Sequence, residues 1–304
     1  MGGNISMKLF QLALLLTLLL GCDKIKSLIG PGIGTENSPI TFYFPKPQAD
    51  NQQSPDFSLL TEFLQRETGF YFKITIPKSS TGIDDGFYNH IVDGALVPPL
   101  KYLDLFKDYQ VKPFLKIIRD GKDYYKSEFI IHKDNEDKIK DLSDLKDRVI
   151  AFTNHDSASG YIIPHEILFV RKIGPKDILF AFSHSNVVRL VYNKEVDAGV
   201  TFHHDPTEAG VIGDGRSLLL EEHPDVAEKV KILYVSGKIP NDPFVFRKDF
   251  PEDLAKKITD ALVKFVETKE GGDLLAKIYE IDGFSKTSDY DFEDLRALMK
   301  EYFE

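Results

Sequence analysis

From residue 40 onward, short runs with every second residue apolar alternate with longer runs whose apolar residues return every three or four positions. Ile40, Phe42 and Phe44 share one face of a first strand, and Thr41 and Tyr43 share the other. Ser54-Pro55-Asp56 supplies a capping hydroxyl, a proline at the first helical position and an acid in the first turn. Phe57, Leu60, Phe63 and Leu64 then fall on one helical face until Gly69 stops the run. A second strand carries Phe72, Ile74 and Ile76, and a third, over 92–97, is closed by Pro98-Pro99. Crossovers of this length join parallel strands, so the fold class is α/β.

The pattern then starts again. Strands at 117–119 and 129–132 flank the turn Gly121-Lys122-Asp123, a short helix covers Leu142-Ser143-Asp144-Leu145, and a buried strand covers Val149-Ile150-Ala151-Phe152. Strands at 178–182, 196–202 and 232–235 are separated by helices over 162–172, 185–193 and 225–230. Two successive sets of this kind predict two α/β lobes. The C-terminal part adds a strand at 244–246 and an amphipathic helix with Leu254, Ile258, Leu262 and Phe265 on one face. Tail helices are predicted over 272–279 and 291–303.

Between the strand at 149–152 and the helix after it lies Asp156-Ser157-Ala158-Ser159-Gly160-Tyr161. A strand that feeds a turn of small hydroxyl residues and then a helix gathers hydroxyls and unpaired backbone N–H groups at one point, an arrangement suited to an oxyanion. Ser157 and Ser159 each offer a donor, and Gly160 lets the backbone approach closely. An ordinary serine N-cap, worth ~1 kcal/mol, accounts for the same residues. Pro164 interrupts the helix pattern and predicts a kink.

Residues 9–20 are apolar except for Gln11 and Thr17, follow Lys8 and end in Leu19-Leu20-Gly21-Cys22. The run is too short to span a bilayer, which takes ~20 residues, and fits a secretory signal peptide over 1–21. Its end resembles the lipobox of bacterial lipoproteins, which implies cleavage before Cys22 and lipidation of that residue. Cys22 is the sole cysteine, which excludes a disulfide framework and a thiolate metal cluster. Residues 22–38 read as a flexible tether. The whole chain has 38 basic and 48 acidic residues, a net charge of −10, and loss of the leader with its single Lys8 makes the balance more acidic still. That charge argues against nucleic acid as a partner, so an anion site has to be built locally from dipoles and hydrogen bonds.

Taken together, Tyr125-Lys126-Ser127, residues 141–146, residues 156–164, Ser183-His184, Glu195-Val196-Asp197-Ala198 and residues 239–247 resemble the phosphonate, phosphite and phosphate family of ABC-transporter substrate-binding proteins. The resemblance implies a type II periplasmic-binding-protein fold, two α/β lobes joined by two hinge strands with a ligand cleft between them. It assigns 39–128 with 240–304 to lobe 1 and 129–239 to lobe 2. It implies ligand contacts from Tyr125, from Ser157, Ala158, Ser159 and Gly160, and from His184 and Asp242, with Ser80 and either His204 or Asp205 at further family positions. Ala158 stands where the family has a threonine, so one hydroxyl donor is missing.

The resulting expectation is a lipid-anchored, periplasmic or otherwise extracytoplasmic monomer. It binds a small oxyanion, delivers it to an ABC permease, needs no cofactor and is not an enzyme. A ligand sensor on the same fold is an alternative. A metal site from His184, His203, His204 and Asp205 is another, although neighbouring residues on a strand point to opposite faces. A hydrolase using Ser157 and His184 lacks the nucleophile-elbow pattern.

Overall fold

The computed structural model describes residues 32–47, 55–79, 81–206 and 212–300. The expected signal peptide over 1–21, Cys22, Ser54 and Ser80 lie outside the described residues. The chain first forms β1 (Ile40–Tyr43), α1 (Ser58–Thr68), β2 (Phe72–Thr75), α2 (Gly82–Tyr88), β3 (Gly94–Leu96), α3 (Pro99–Tyr109) and β4 (Lys112–Ile118). Next come β5 (Tyr124–His132), β6 (Val149–Phe152), α4 (Ile163–Val170), β7 (Asp177–Phe180), α5 (His184–Tyr192), β8 (Ala198–His203), α6 (Val226–Lys229), β9 (Val230–Val235) and β10 (Ile239–Pro240). The chain continues through β11 (Pro243–Phe246), α7 (Glu252–Glu267), α8 (Lys269–Tyr279), β12 (Gly283–Lys286) and α9 (Glu293–Leu298).

These elements form two compact units. Unit 1 runs to Gly121 and resumes over Asp242–Ser288, and unit 2 comprises Lys122–Asn241 and Asp289–Glu304. The division differs from the boundaries expected from sequence by two residues at the return to unit 1, at Asp242, and by more in two other places. All of β5 belongs to unit 2, because Lys126 to Ile131 pair with β8 along one edge of the strand and Glu128 to His132 pair with β9 along the other. The tail after Ser288 also joins unit 2, where α9 packs on α4 and buries Phe292, Leu295 and Met299. The tether is likewise shorter than 22–38. Gly34, at φ +76°, lies so close to Phe70 that a Cβ would meet its ring at 2.5 Å, and the Tyr71 N–H donates to the Gly34 carbonyl at 2.9 Å.

Unit 1 holds a mixed six-stranded sheet in the order β12-β4-β11-β3-β1-β2, with β1 parallel to both β2 and β3. The alternation read in β1 has the expected result, since Ile40 and Phe42 are fully buried. The Phe42 ring packs edge-on against Phe244 of β11 at 5.0 Å. Leu254, Ile258, Leu262 and Phe265 of α7 close the same core, each at most 1% exposed, and burial of each contributes ~1.5–3 kcal/mol. Helix α1 starts at Ser58, later than the Ser54 cap predicts, with the Asp56 carboxylate accepting the Ser58 N–H at 2.9 Å.

Unit 2 orders its strands β10-β5-β8-β6-β7, with β9 also paired to β5. Strands β6, β7 and β8 are parallel neighbours, and β5 runs antiparallel to β8. The core is smaller and rich in valine, with Val187, Val188 and Val191 of α5 fully buried beside Ile130 and Ala151. Gly199 of β8 is required by this packing, because a Cβ there would meet Val187 at 2.6 Å.

Candidate functional site

In open α/β sheets, ligands bind just beyond the carboxyl ends of the parallel strands. On unit 2 those ends are Phe152 of β6, Phe180 of β7 and His203 of β8, and the stretches that follow them are 153–162, 181–184 and 204–206. Three separate groups of residues expected from sequence, Ser157 to Gly160, His184, and His204 with Asp205, therefore emerge from adjacent strands on one edge of one sheet. Tyr125 joins them, because β5 begins beside the end of β8 with Lys126 opposite His203. On unit 1, Asp242 immediately precedes β11, whose Phe244 pairs with Leu96 at the carboxyl end of β3. Nothing structural is described for Ser80.

The turn after β6 is built around Pro164. Lacking an N–H, Pro164 makes no bond to the Gly160 carbonyl four residues back, and that carbonyl accepts from the Thr153 N–H at 3.1 Å instead. The backbone between them widens into a π turn over Ala158–Ile162, in which the Ile162 N–H reaches the Ser157 carbonyl at 2.9 Å. The α-helix begins only at Ile163, so Pro164 occupies its first turn. Single π turns recur at functional sites.

Gly160 is held against the end of β6. A Cβ at this position would lie 2.1 Å from Thr153 Oγ1. The Gly160 N–H donates to Ser157 Oγ at 3.0 Å, so the N-cap reading of Ser157 is borne out and this amide is unavailable to a ligand while the cap is formed. The Ser157 hydroxyl still has its own proton to donate. The N–H groups of Ala158 and Ser159 head the turn, where backbone donors have no partner inside the helix. Ser159 is 7% exposed, whereas Ala158 is half-buried.

His184 opens α5 behind the capping Ser183. Its Nδ1 meets Thr201 Oγ1 of β8 at 2.9 Å, which leaves Nε2 for another partner. Burial pushes His184 down to about 4 in the unliganded protein. The Phe202 ring lies edge-on to the imidazole at 5.0 Å.

The two histidines at the end of β8 diverge as the strand alternation requires. His203 Nδ1 turns inward to Glu128 Oε2 at 2.8 Å, and the His204 ring lies 5.7 Å from Phe202. Asp205 is engaged on both oxygens, accepting from Lys126 Nζ at 2.8 Å and from the Tyr124 hydroxyl at 3.1 Å. Lys126 is the main reason its carboxyl falls to about 2. Glu128 is fully buried, and burial raises it to about 7 against the opposing pull of the His203 hydrogen bond. On unit 1, Asp242 Oδ2 meets Arg119 at 3.4 Å, and burial raises its pKa despite that guanidinium.

The sequence reading missed Lys126, Tyr124, Thr201 and Arg119. The period of two that places Tyr124 and Lys126 on one face of β5 was the available signal. The metal alternative takes a different form here. Ligand atoms of Glu128, His203 and Asp214 lie within 4.8 Å of one another, and His184 is not among them. Arg216 holds both Asp214 oxygens, at 2.9 and 2.7 Å, and supplies the positive charge that a cation would bring. The cluster therefore reads as a buried ion-pair network.

Comparison with known proteins agrees with this geometry. The profile of the family described as ABC transporter, phosphonate, periplasmic substrate-binding protein matches residues 45–292. The phosphonates-binding periplasmic protein of Escherichia coli is 24% identical over 288 residues, covering 91% of this chain and 81% of the relative. A Xanthomonas citri protein bound to ATP superposes with a TM-score of 0.64 at 17% identity, covering 86% of this chain and 96% of the other. A Prochlorococcus marinus protein in complex with methylphosphonate gives 0.56 at 16% identity, covering 86% and 97%. The fold is that of the type II periplasmic binding proteins. A profile match that takes in most of the chain, on this fold, makes the protein a member of the periplasmic substrate-binding family of phosphonate ABC transporters, whose members are transport components and not enzymes.

Proposed function

We propose that the protein is a lipid-anchored binding protein that captures a small phosphorus oxyanion at the carboxyl edge of unit 2 and passes it to an ABC permease. The observation that carries this reading is the convergence of 157–159, His184 and Tyr125 on the ends of adjacent strands. The Ser157 and Ser159 hydroxyls and the N–H groups of Ala158 and Ser159 form the anion seat, and His184 Nε2 faces it as a neutral donor. When the Thr201 hydroxyl donates to Nδ1, the neutral imidazole carries its proton on Nε2. Cys22 carries the lipid.

A thermal-shift screen of the mature protein tests the proposal, using phosphate, phosphite, methylphosphonate and an aminophosphonate. A ligand at a hundred times its dissociation constant adds ~2.7 kcal/mol to stability. At least one of these anions is expected to raise the melting midpoint at millimolar concentration, and no shift with any of them contradicts the proposed ligand class.

A further inference from the structure

Phe182 occupies a backbone conformation in which a side chain of its kind is rarely found. Its φ is +64°, in the left-handed region. The other described non-glycine residues at positive φ are His90, Gln110, Asp120, Asp147, Lys172, Lys194 and Glu280, all of them polar, so Phe182 is the one apolar side chain held in this way. It is also 79% exposed, more than any other exposed large hydrophobic residue among those described. Its ring makes no contact with another ring or with a cation among the described residues, although Phe180, two positions earlier, packs on His155 and Tyr161. Folding of unit 2 therefore gains little from this ring, while the backbone that carries it is strained. Strain that persists without a structural return marks a functional position.

Its location says which function. The Phe182 N–H donates to the Thr153 carbonyl at 2.9 Å, and the Thr153 N–H donates to the Gly160 carbonyl at 3.1 Å. Phe182 is thus two hydrogen bonds from the anion seat and two residues from His184. The charge on this edge is modest, because Lys126 is tied to Asp205 and His184 is neutral. An inorganic dianion finds limited compensation there, and a ligand with an apolar group gains from a neighbouring ring.

We infer that Phe182 is a specificity-determining residue that packs against the carbon substituent of the ligand, so that the site selects organophosphonates with an apolar or aromatic group over phosphite and phosphate. The inference rests on the proposed anion seat.

The test is calorimetric titration of the mature wild-type protein, Phe182→Gly and Phe182→Tyr with phosphite, methylphosphonate and phenylphosphonate. In the wild type, affinity rises from phosphite to phenylphosphonate. Phe182→Gly weakens phenylphosphonate about tenfold or more and leaves phosphite within about twofold, while Phe182→Tyr keeps the wild-type order. Glycine accepts positive φ freely, so Phe182→Gly also raises the unliganded melting midpoint by roughly 2–4 °C. Equal weakening of all three ligands, as expected if the ring contacts protein, overturns the inference. Unchanged affinity for all three, as expected if the ring serves a docking partner, overturns it too. A wild type that binds none of the three overturns the proposed anion seat itself, a result distinct from loss of selectivity alone.

Discussion

Replacing Gly160 with alanine tests whether the seat depends on the close approach of the π turn to β6. The new methyl carbon would lie 2.1 Å from Thr153 Oγ1, 2.6 Å from Thr153 Cγ2 and 2.8 Å from Ser157 Oγ. Unstrained contacts between carbon atoms fall near 3.5–4.0 Å, so turn and strand have to separate by roughly 1 Å or more. Thr153 cannot rotate clear easily, being 2% exposed and fixed by backbone bonds to the Gly160 carbonyl and the Phe182 N–H. Overpacking of this kind costs ~1–3 kcal/mol, which lowers the midpoint by about 2–4 °C for each kcal/mol in a domain of this size. Displacement of the Ala158 and Ser159 amides removes at least one bond to a charged group, worth ~1.5–3 kcal/mol, or a roughly 10- to 100-fold loss of affinity. Thr153→Ala removes two of the three clashing atoms, and its Oγ1 has no hydrogen-bond partner to lose. The double variant should therefore recover most of both losses, measured by thermal melting and by titration with methylphosphonate. Wild-type stability and affinity in Gly160→Ala alone, or a double variant no better than the single, would refute the reasoning.

Three further outcomes are expected. His184 titrates at about 4 when folded, against an ordinary value of 6.5. The unfolded chain takes up a proton between these values that the folded chain refuses, so stability is full above about pH 6.5 and lost as the pH falls toward 4, by an amount on the order of 3 kcal/mol; His184→Gln should flatten that limb of a pH-stability profile, and an unchanged slope counts against it. Asp205 is depressed to about 2 chiefly by Lys126, so its contribution is present above its ordinary pKa and fades as the pH falls toward 2. Lys126→Met should remove that acid-side dependence at a cost of about 1 kcal/mol or less, because the pair is partly solvated; acid denaturation of the two proteins reports it. Glu128 is raised to about 7, so its favourable contribution is full near pH 4.5 and disappears as the pH rises through 7; Glu128→Gln should melt higher than wild type at pH 8, and a lower midpoint there would show that the carboxylate charge is needed.

Much of unit 2 was legible because its signals are local. The burial of Ile150 to Phe152, the small residues of the turn and the serine cap before His184 are each set by neighbours in sequence. Features set by distant pairing were not legible in the same way. The π turn that receives Pro164 was not visible from sequence, because it depends on the Thr153 N–H reaching the Gly160 carbonyl. Gly160 was read as a ligand donor when its identity is fixed by the approach of Thr153 and its amide by the Ser157 cap. The protonation of His184 was not legible either, because it follows from burial beside Thr201 and Phe202. The inward turn of His203 toward Glu128 needed the register of β5 against β8, and β12 needed a partner strand more than 160 residues earlier in β4. The family resemblance named the candidate residues, and the packing shows which of their atoms are already engaged within the protein.

The most direct test is an amide proton–nitrogen correlation spectrum of the mature protein titrated with methylphosphonate, with the ring nitrogens of His184 followed alongside. The account predicts that the Ala158 and Ser159 amides and His184 Nε2 show the largest changes, and that the Gly160 amide, bonded to Ser157, moves less. Saturable binding that leaves Ala158, Ser159 and His184 unmoved while other residues shift would contradict an anion seat at the end of β6.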